Sequence, residues 1–263
     1  MTLKTALFYE RYELKYHIPL DLVEPICEFL TPYCEMDHFS KISPDDYYSI
    51  NNIYLDTPNF LFLERRLAGV DERFNMRVRT YGDELTDDSL YLLEVKNKSK
   101  GFVRKTRAKV KDMSWFDHLD KGTYPETEES VIVNDFAYDF FAKAHAYRAR
   151  PVAFTQYRRK ALFSTIDDYA RITFDKQLRY CERDTYDFSR KGLKYYDNAN
   201  YFDPYTSVIL ELKCETKVPM WFLDIIRRFN LSRSSFSKFV FAIGEIMETK
   251  LPNLSFDARE SLY

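Results

Sequence analysis

Eight stretches of this chain read as strands, most of them alternating apolar and charged residues with a period of two, and that recurrence limits the possible folds more than any other feature. In the clearest, Val208, Leu210, Leu212 and Cys214 share one phase while Glu211 and Lys213 share the other. Successive strand side chains point to opposite faces, so this segment predicts a strand with one apolar and one charged face. Residues Phe8 to Ile18 repeat the pattern, with Phe8, Tyr12, Leu14, Tyr16 and Ile18 set against Arg11, Glu13, Lys15 and His17. Tyr47 to Leu55, Arg73 to Tyr81, Leu90 to Lys98, Phe102 to Val110, Val152 to Phe163 and Tyr169 to Leu178 complete the set. Ser99-Lys100-Gly101 reads as a hairpin turn between the fourth and fifth strands.

Helices are predicted between these strands. Asp21 to Leu30 carries an apolar stripe at Leu22, Ile26, Phe29 and Leu30. Thr57 as N-cap and Pro58 at the first helical position predict a helix over Asn59 to Leu67. Further helices are expected from Val131 to Ala146, ended by Pro151, from Trp221 to Phe229 after Pro219, and through about Met247. Trp115-Phe116 reads as a short segment, Glu126-Glu128-Glu129 as an acidic loop, and Arg183 to Pro204 as a long loop. The expected fold class is therefore α+β: eight antiparallel strands that can close into a β-barrel with helices packed outside, in one large domain or two small ones. A length of 263 residues, 45% of them hydrophobic, can bury such a core.

Either the charged faces point outward or they line a tunnel, and the helices need apolar strand faces to cover, which favours the tunnel. An inward set would hold Arg11, Lys15, Arg77, Arg79, Lys96, Lys105, Arg107, Arg159, Arg171, Lys213 and Lys238. Its acids would be Glu13, Glu94, Asp175 and Glu211. Eleven bases less four acids leaves roughly +7 within a chain whose net charge is -2. Unpaired buried ions cost several kcal/mol each, so this surplus calls for a polyanion. Arginine forks and lysine points match phosphate oxygens. The acids suit Mg²⁺ or Mn²⁺, which take oxygen ligands and need one or two carboxylates; Glu211 is the first choice, with Glu13 and Glu94 as helpers or as ion-pair partners.

The near-neutral net charge does not suit a nucleic-acid coat. No run approaches the roughly 18 apolar residues of a membrane helix, and Met1 to Ala6 lacks a signal-peptide segment. Cys27, Cys34, Cys181 and Cys214 are scattered, which fits a reducing cytoplasm, and with dispersed His17, His38, His118 and His145 they offer no zinc-ligand spacing. The expectation is a cytoplasmic protein with no direct membrane insertion and no nucleic-acid partner.

Arg11-x-Glu13-x-Lys15-Tyr16, Arg77-x-Arg79, Leu93-Glu94-Val95-Lys96, Lys105-x-Arg107, Tyr157-Arg158-Arg159, Arg171-Ile172-Thr173-Phe174-Asp175, Leu210-Glu211-Leu212-Lys213 and Phe236-Ser237-Lys238-Phe239 follow one another in this order. Together, from about Phe8 to Ile246, they resemble the VTC-type polyphosphate polymerase domain, a branch of the CYTH-like triphosphate tunnel metalloenzymes. The resemblance implies a single domain over 1–263, its core at about 8–246, folded as an eight-stranded antiparallel β-barrel with helices packed outside, whose tunnel binds ATP or another triphosphate and polyphosphate and transfers the terminal phosphoryl group with Mn²⁺ or Mg²⁺. It implies catalytic roles for Lys15, Arg77, Arg79, Arg159, Arg171, Glu211 and Lys238, phosphate contacts from Lys96, Lys105 and Arg107 as well, and a metal on Glu211. Alternation leaves Arg158 and Arg159 open; the family's Tyr-x-Arg pattern selects Arg159. The first strand holds Glu13 beside Arg11 where hydrolytic tunnel enzymes carry Glu-x-Glu-x-Lys, which favours one metal over two. Regulatory and membrane-spanning parts of eukaryotic polymerase subunits are not in this sequence, which resembles a free-standing bacterial form. The competing readings are a triphosphatase or polyphosphatase in the same tunnel, a non-catalytic polyphosphate- or nucleotide-binding module, and a lipocalin-like carrier that would leave Arg77 and Arg79 in solvent.

Overall fold

The computed structural model describes residues 11–86, 89–99, 102–111, 114–124, 135–167, 169–197, 202–215 and 217–250. In chain order the elements are β1 (Arg11–Pro19), α1 (Val23–Leu30), β2 (Cys34–Met36), α2 (His38–Ile42), β3 (Tyr48–Asp56) and α3 (Leu61–Leu67). Next come β4 (Arg73–Tyr81), β5 (Tyr91–Ser99), β6 (Phe102–Val110), α4 (Ser114–Lys121) and α5 (Asp135–Tyr147). The chain continues with β7 (Arg150–Ser164), β8 (Ala170–Glu182), β9 (Lys194–Tyr195), β10 (Ser207–Glu215), α6 (Met220–Arg228) and α7 (Lys238–Lys250). All eight strands expected from alternation are present. Phe8 to Glu10, the Lys100-Gly101 turn, the acidic loop and the first residues of the helix expected from Val131 lie outside the described residues.

The strands form one sheet in the order β1-β10-β8-β7-β3-β4-β5-β6, with β2 on β7 and β9 on β8. The registers joining β1 to β10, β10 to β8, β3 to β4, β4 to β5 and β5 to β6 are antiparallel. Among the described residues this path ends at β1 and β6, and the sheet is not closed. The architecture is thus α+β with a large antiparallel sheet, and the closed barrel expected from the sequence is not established. No helix among the described residues is long and apolar enough to cross a membrane.

The chain divides into two compact units. The first takes residues 1–47, 159–176 and 205–235, and the second takes 48–158, 177–204 and 236–263. In the first unit the cross-strand rows Tyr16–Leu210–Phe174 and Leu14–Leu212–Ile172 set apolar side chains side by side. They pack against Val23, Ile26 and Leu30 of α1 and Trp221, Phe222 and Ile225 of α6. In the second unit Ile53–Val78–Leu93–Ala108 and Leu55–Met76–Val95 are the matching rows. Trp115 and Leu119 of α4 and Phe140, Phe141 and Ala144 of α5 cover them. In both units the apolar strand phase meets helices, which leaves the charged phase on the other face.

Several ends differ from expectation for local reasons. The helix expected from Asn59 starts at Leu61, because Phe60 adopts a left-handed conformation with φ 55°. Thr57 still helps, its Oγ1 accepting from Leu61 N–H at 2.9 Å, but the cap is Asp56, whose carboxylate accepts from Phe62 and Leu63 N–H at 2.9 and 3.0 Å. Pro151 does not end α5. The helix stops at Tyr147, Arg148 turns left-handed (φ 51°) and Ala149 N–H returns to Ala144 C=O at 2.8 Å, a Schellman closure. Pro151 is instead the second residue of β7, where a missing N–H is tolerated.

Candidate functional site

The charged strand phase of the second unit converges on Glu94. Register places Arg77 on one side of it and Arg107 on the other, with Tyr54 beyond Arg77. Glu94 is 1% exposed. Its Oε2 accepts from Arg77 Nε at 2.7 Å and its Oε1 from Arg107 Nε at 2.8 Å. Lys105 also pairs with Oε1, and Arg79 Nε lies 4.0 Å from Oε2. Burial alone would raise this carboxyl's pKa, but Arg77, Arg79, Lys105 and Arg107 hold it well below the usual carboxylate range. Burial, helped by the three guanidinium groups and opposed by Glu94, pushes the Lys105 ammonium down. Four cations around one acid leave a local positive surplus.

Arg79 is fixed from two sides. Its Nε donates to Asn52 Oδ1 at 2.7 Å and its Nη2 to Tyr157 Oη at 3.2 Å. Asn52 in turn donates to Thr155 Oγ1 at 3.3 Å. Lys238, the first residue of α7, places its ammonium 4.5 Å from the centre of the Tyr157 ring. Lys96 faces Lys105 across the β5–β6 register, on the same strand phase. Arg79 is 6% exposed, which is not the solvent-facing position of a surface-charged carrier.

The first unit builds a second cluster from the rows Lys15–Glu211–Thr173 and Glu13–Lys213–Arg171. Glu211, 4% exposed, pairs with Lys213 at 2.6 Å, Lys15 at 3.7 Å and Arg159 at 3.9 Å. Arg159 grips Asp175 with two parallel hydrogen bonds, 2.6 and 2.7 Å long. Arg171 sits 4.8 Å over the Phe163 ring and 3.9 Å from Asp37. Lys15 lies 3.3 Å from Glu13, so Glu13 and Glu211 converge on one ammonium.

Among the described residues no three His, Cys, Asp or Glu side chains form a metal-holding group. A hard divalent cation needs only one or two carboxylates beside phosphate and water. Glu13 and Glu211 fit that need, since they already share one cation. Glu94 fits it less well: four cations crowd its two oxygens, Arg77 and Arg107 donating at 2.7 and 2.8 Å, whereas Lys15 and Arg159 stand 3.7 and 3.9 Å from Glu211.

Every expected site residue whose side chain is described therefore falls on the charged strand phase or at the start of α7. Lys15, Arg159, Arg171 and Lys213 gather in one unit, and Arg77, Arg79, Lys105 and Arg107 gather around Glu94 in the other. The Arg11 side chain lies outside the described residues. Sequence reasoning missed Asn52 and gave Tyr157 no role. A signal for Asn52 existed: asparagine is depleted in strands, and Asn51-Asn52 breaks into the apolar residues Ile50, Ile53, Tyr54 and Leu55 of β3.

A family model described as "VTC domain" matches residues 10–246. Vacuolar transporter chaperone complex subunit 4 of Trypanosoma brucei brucei is 25% identical over 253 residues, covering 81% of this chain. The same subunit of Trypanosoma cruzi is 25% identical over 226 residues, covering 75% of it. This chain spans 31% and 28% of those two proteins. Among solved structures, PH1819 protein from Pyrococcus horikoshii OT3 aligns over 90% of this chain and 99% of its own, with 12% identity and a TM-score of 0.44. The family match covers nine-tenths of the sequence and contains both charge clusters, so the chain belongs to the VTC domain family.

Proposed function

We propose that this chain is a polyphosphate polymerase domain that binds ATP and polyphosphate and transfers the terminal phosphoryl group of ATP to a growing phosphate chain. The observation that carries this reading is the cluster of Arg77, Arg79, Lys105 and Arg107 around the single acid Glu94. A surplus of forked, partly desolvated cations suits an extended polyanion better than one small anion. Membership of the VTC domain family and the likeness to subunit 4 of the vacuolar transporter chaperone complex support the same substrate class.

In this reading an oxygen of the terminal phosphate attacks the γ-phosphorus, the β–γ bridging bond breaks and ADP leaves. Arg77, Arg79, Lys238, Lys15, Arg159 and Arg171 hold the phosphoryl groups in line and neutralise charge on their oxygens. Lys96, Lys105, Arg107, Lys213 and Arg11 add phosphate contacts. Glu211 with Glu13 would hold Mn²⁺ or Mg²⁺, which when bound supplies Lewis-acid charge neutralisation at the phosphate oxygens. Glu94 is assigned to organising cations rather than to the metal. A closed tunnel and a single domain over 1–263, its core at about 8–246, are parts of this proposal. So is a cytoplasmic setting, which the four free cysteines suit.

Incubation with ATP and Mn²⁺, with products resolved on a gel, tests it. Long phosphate chains with ADP are the expected outcome. Orthophosphate alone would make the protein a hydrolase, and tight binding without turnover would make it a binding module. In the same assay Glu211→Gln should lower turnover at least about 100-fold, the scale for losing one electrostatic stabiliser, while tripolyphosphate still binds. Full activity in that variant would remove Glu211 from the metal role.

A further inference from the structure

Tyr157 touches two of the cations assigned to phosphate, in two chemically different ways. Its hydroxyl accepts from Arg79 Nη2 at 3.2 Å, and its ring lies 4.5 Å from the Lys238 ammonium. The ring is 2% exposed, so neither contact is weakened by bulk water. Both cations are also buried, Arg79 at 6% and Lys238 at 8% exposure. Asn52 holds the Nε edge of the same guanidinium at 2.7 Å. With Asn52 and Tyr157 each taking a donor, two of the five arginine N–H groups fix the fork and the rest are aimed by that fixation.

Two like charges drawn to one small ring repel each other. Tyr157 offsets that repulsion, because the oxygen lone pair and the negative ring face are separate acceptors on one rigid side chain. A side chain with two torsions also loses little entropy in doing so.

We propose that Tyr157 is a positioning residue that locks Arg79 and Lys238 together on one segment of a bound phosphate chain, its hydroxyl setting the guanidinium and its ring face setting the ammonium. The proposal rests on the phosphate-binding reading above and adds a residue that acts through the two cations it touches. Its two arms are separable by substitution. Tyr157→Phe deletes only the Arg79 arm, and Tyr157→Leu deletes both.

Affinity for inorganic tripolyphosphate, measured by calorimetry on the full chain, tests it through two double-mutant cycles. Tyr157→Phe should weaken binding about fivefold, a typical effect of one lost hydrogen bond, and that loss should vanish in an Arg79→Met background. Tyr157→Leu should weaken binding about tenfold beyond Tyr157→Phe, the scale of a desolvated cation–π contact, and that gap should vanish in a Lys238→Met background. Losses that simply multiply in both cycles would overturn the proposal, since independent sites add in free energy. A purely structural tyrosine would give that multiplicative result. If Tyr157→Leu does not fold, the Tyr157→Phe and Arg79→Met cycle decides alone, because phenylalanine keeps the ring in place. Wild-type protein that fails to bind tripolyphosphate would sink the functional reading and this inference with it. Wild-type binding with uncoupled cycles would sink this inference only.

Discussion

Glu94 is pulled two ways, and the winner sets a pH dependence. Burial favours its neutral form, but four surrounding cations stabilise the carboxylate more, so its folded-state pKa lies well below the ordinary 4.5. A depressed carboxylate pKa contributes stability that is fully present above the unfolded value and is lost as pH falls toward the folded one. Glu94→Gln removes this contribution and leaves Arg77, Arg79, Lys105 and Arg107 repelling one another. In urea unfolding, the stability gap between wild type and Glu94→Gln should be constant from about pH 7 to 5. Below about pH 4.5 it should shrink by up to about 1.4 kcal/mol per pH unit. A gap unchanged down to pH 3 would mean that the cations do not hold the carboxylate ionised. At this scale the charged residues were legible in the sequence, because alternation assigns a face to each. Their pairings were not. Alternation places Glu94 on the charged phase but does not show that its neighbours across two strands are both arginines, the register that makes it an ion-pair hub.

Strands were read well and short helices poorly, for a physical reason. A nine-residue strand such as β10 repeats its period more than four times, whereas the five residues of α2 complete little more than one turn. What marks α2 is its cap, Asp37 accepting from Ser40 N–H at 2.7 Å, and a lone Asp before five residues is too common a signal to read. The strands β2 and β9, three and two residues long, have no usable period at all. Helix α3 makes the capping argument testable. Asp56 is fully buried and accepts from Thr57, Phe62 and Leu63 N–H at 2.7, 2.9 and 3.0 Å. Burial raises its pKa, opposed by those three donors. Asp56→Ala strands them in an apolar setting and should cost about 2 kcal/mol or more in urea unfolding. Asp56→Asn, which keeps one acceptor oxygen, should recover part of that loss. Equal stability in all three proteins would show that the carboxylate is not the cap.

At the level of the whole molecule, the strand count and the pairing of apolar faces with helices follow from hydrophobic periodicity, but sheet closure does not. Alternation says which face a side chain takes and nothing about which strands pair across an edge, so the α+β class was legible and the barrel was an added step. The charge balance can be read at this scale too. A chain with net charge -2 concentrates cations on buried strand faces, where their mutual repulsion weakens the folded state until an anion compensates it. A ligand that binds only the folded chain stabilises it by mass action, about 2.7 kcal/mol at a hundred times its dissociation constant. For a chain of this size that corresponds to a rise of about 5–10 °C in melting temperature. Tripolyphosphate should therefore raise the melting temperature by that amount, and sulfate at equal ionic strength should raise it far less. Bulk salt screens charges generally but cannot span several arginine forks at once. In Arg79→Ala the tripolyphosphate shift should fall while the sulfate shift stays the same, because only the first depends on the fork held by Asn52 and Tyr157. Equal shifts with the two anions would reduce the clusters to an unselective patch of positive charge and remove the main physical support for a polyphosphate substrate.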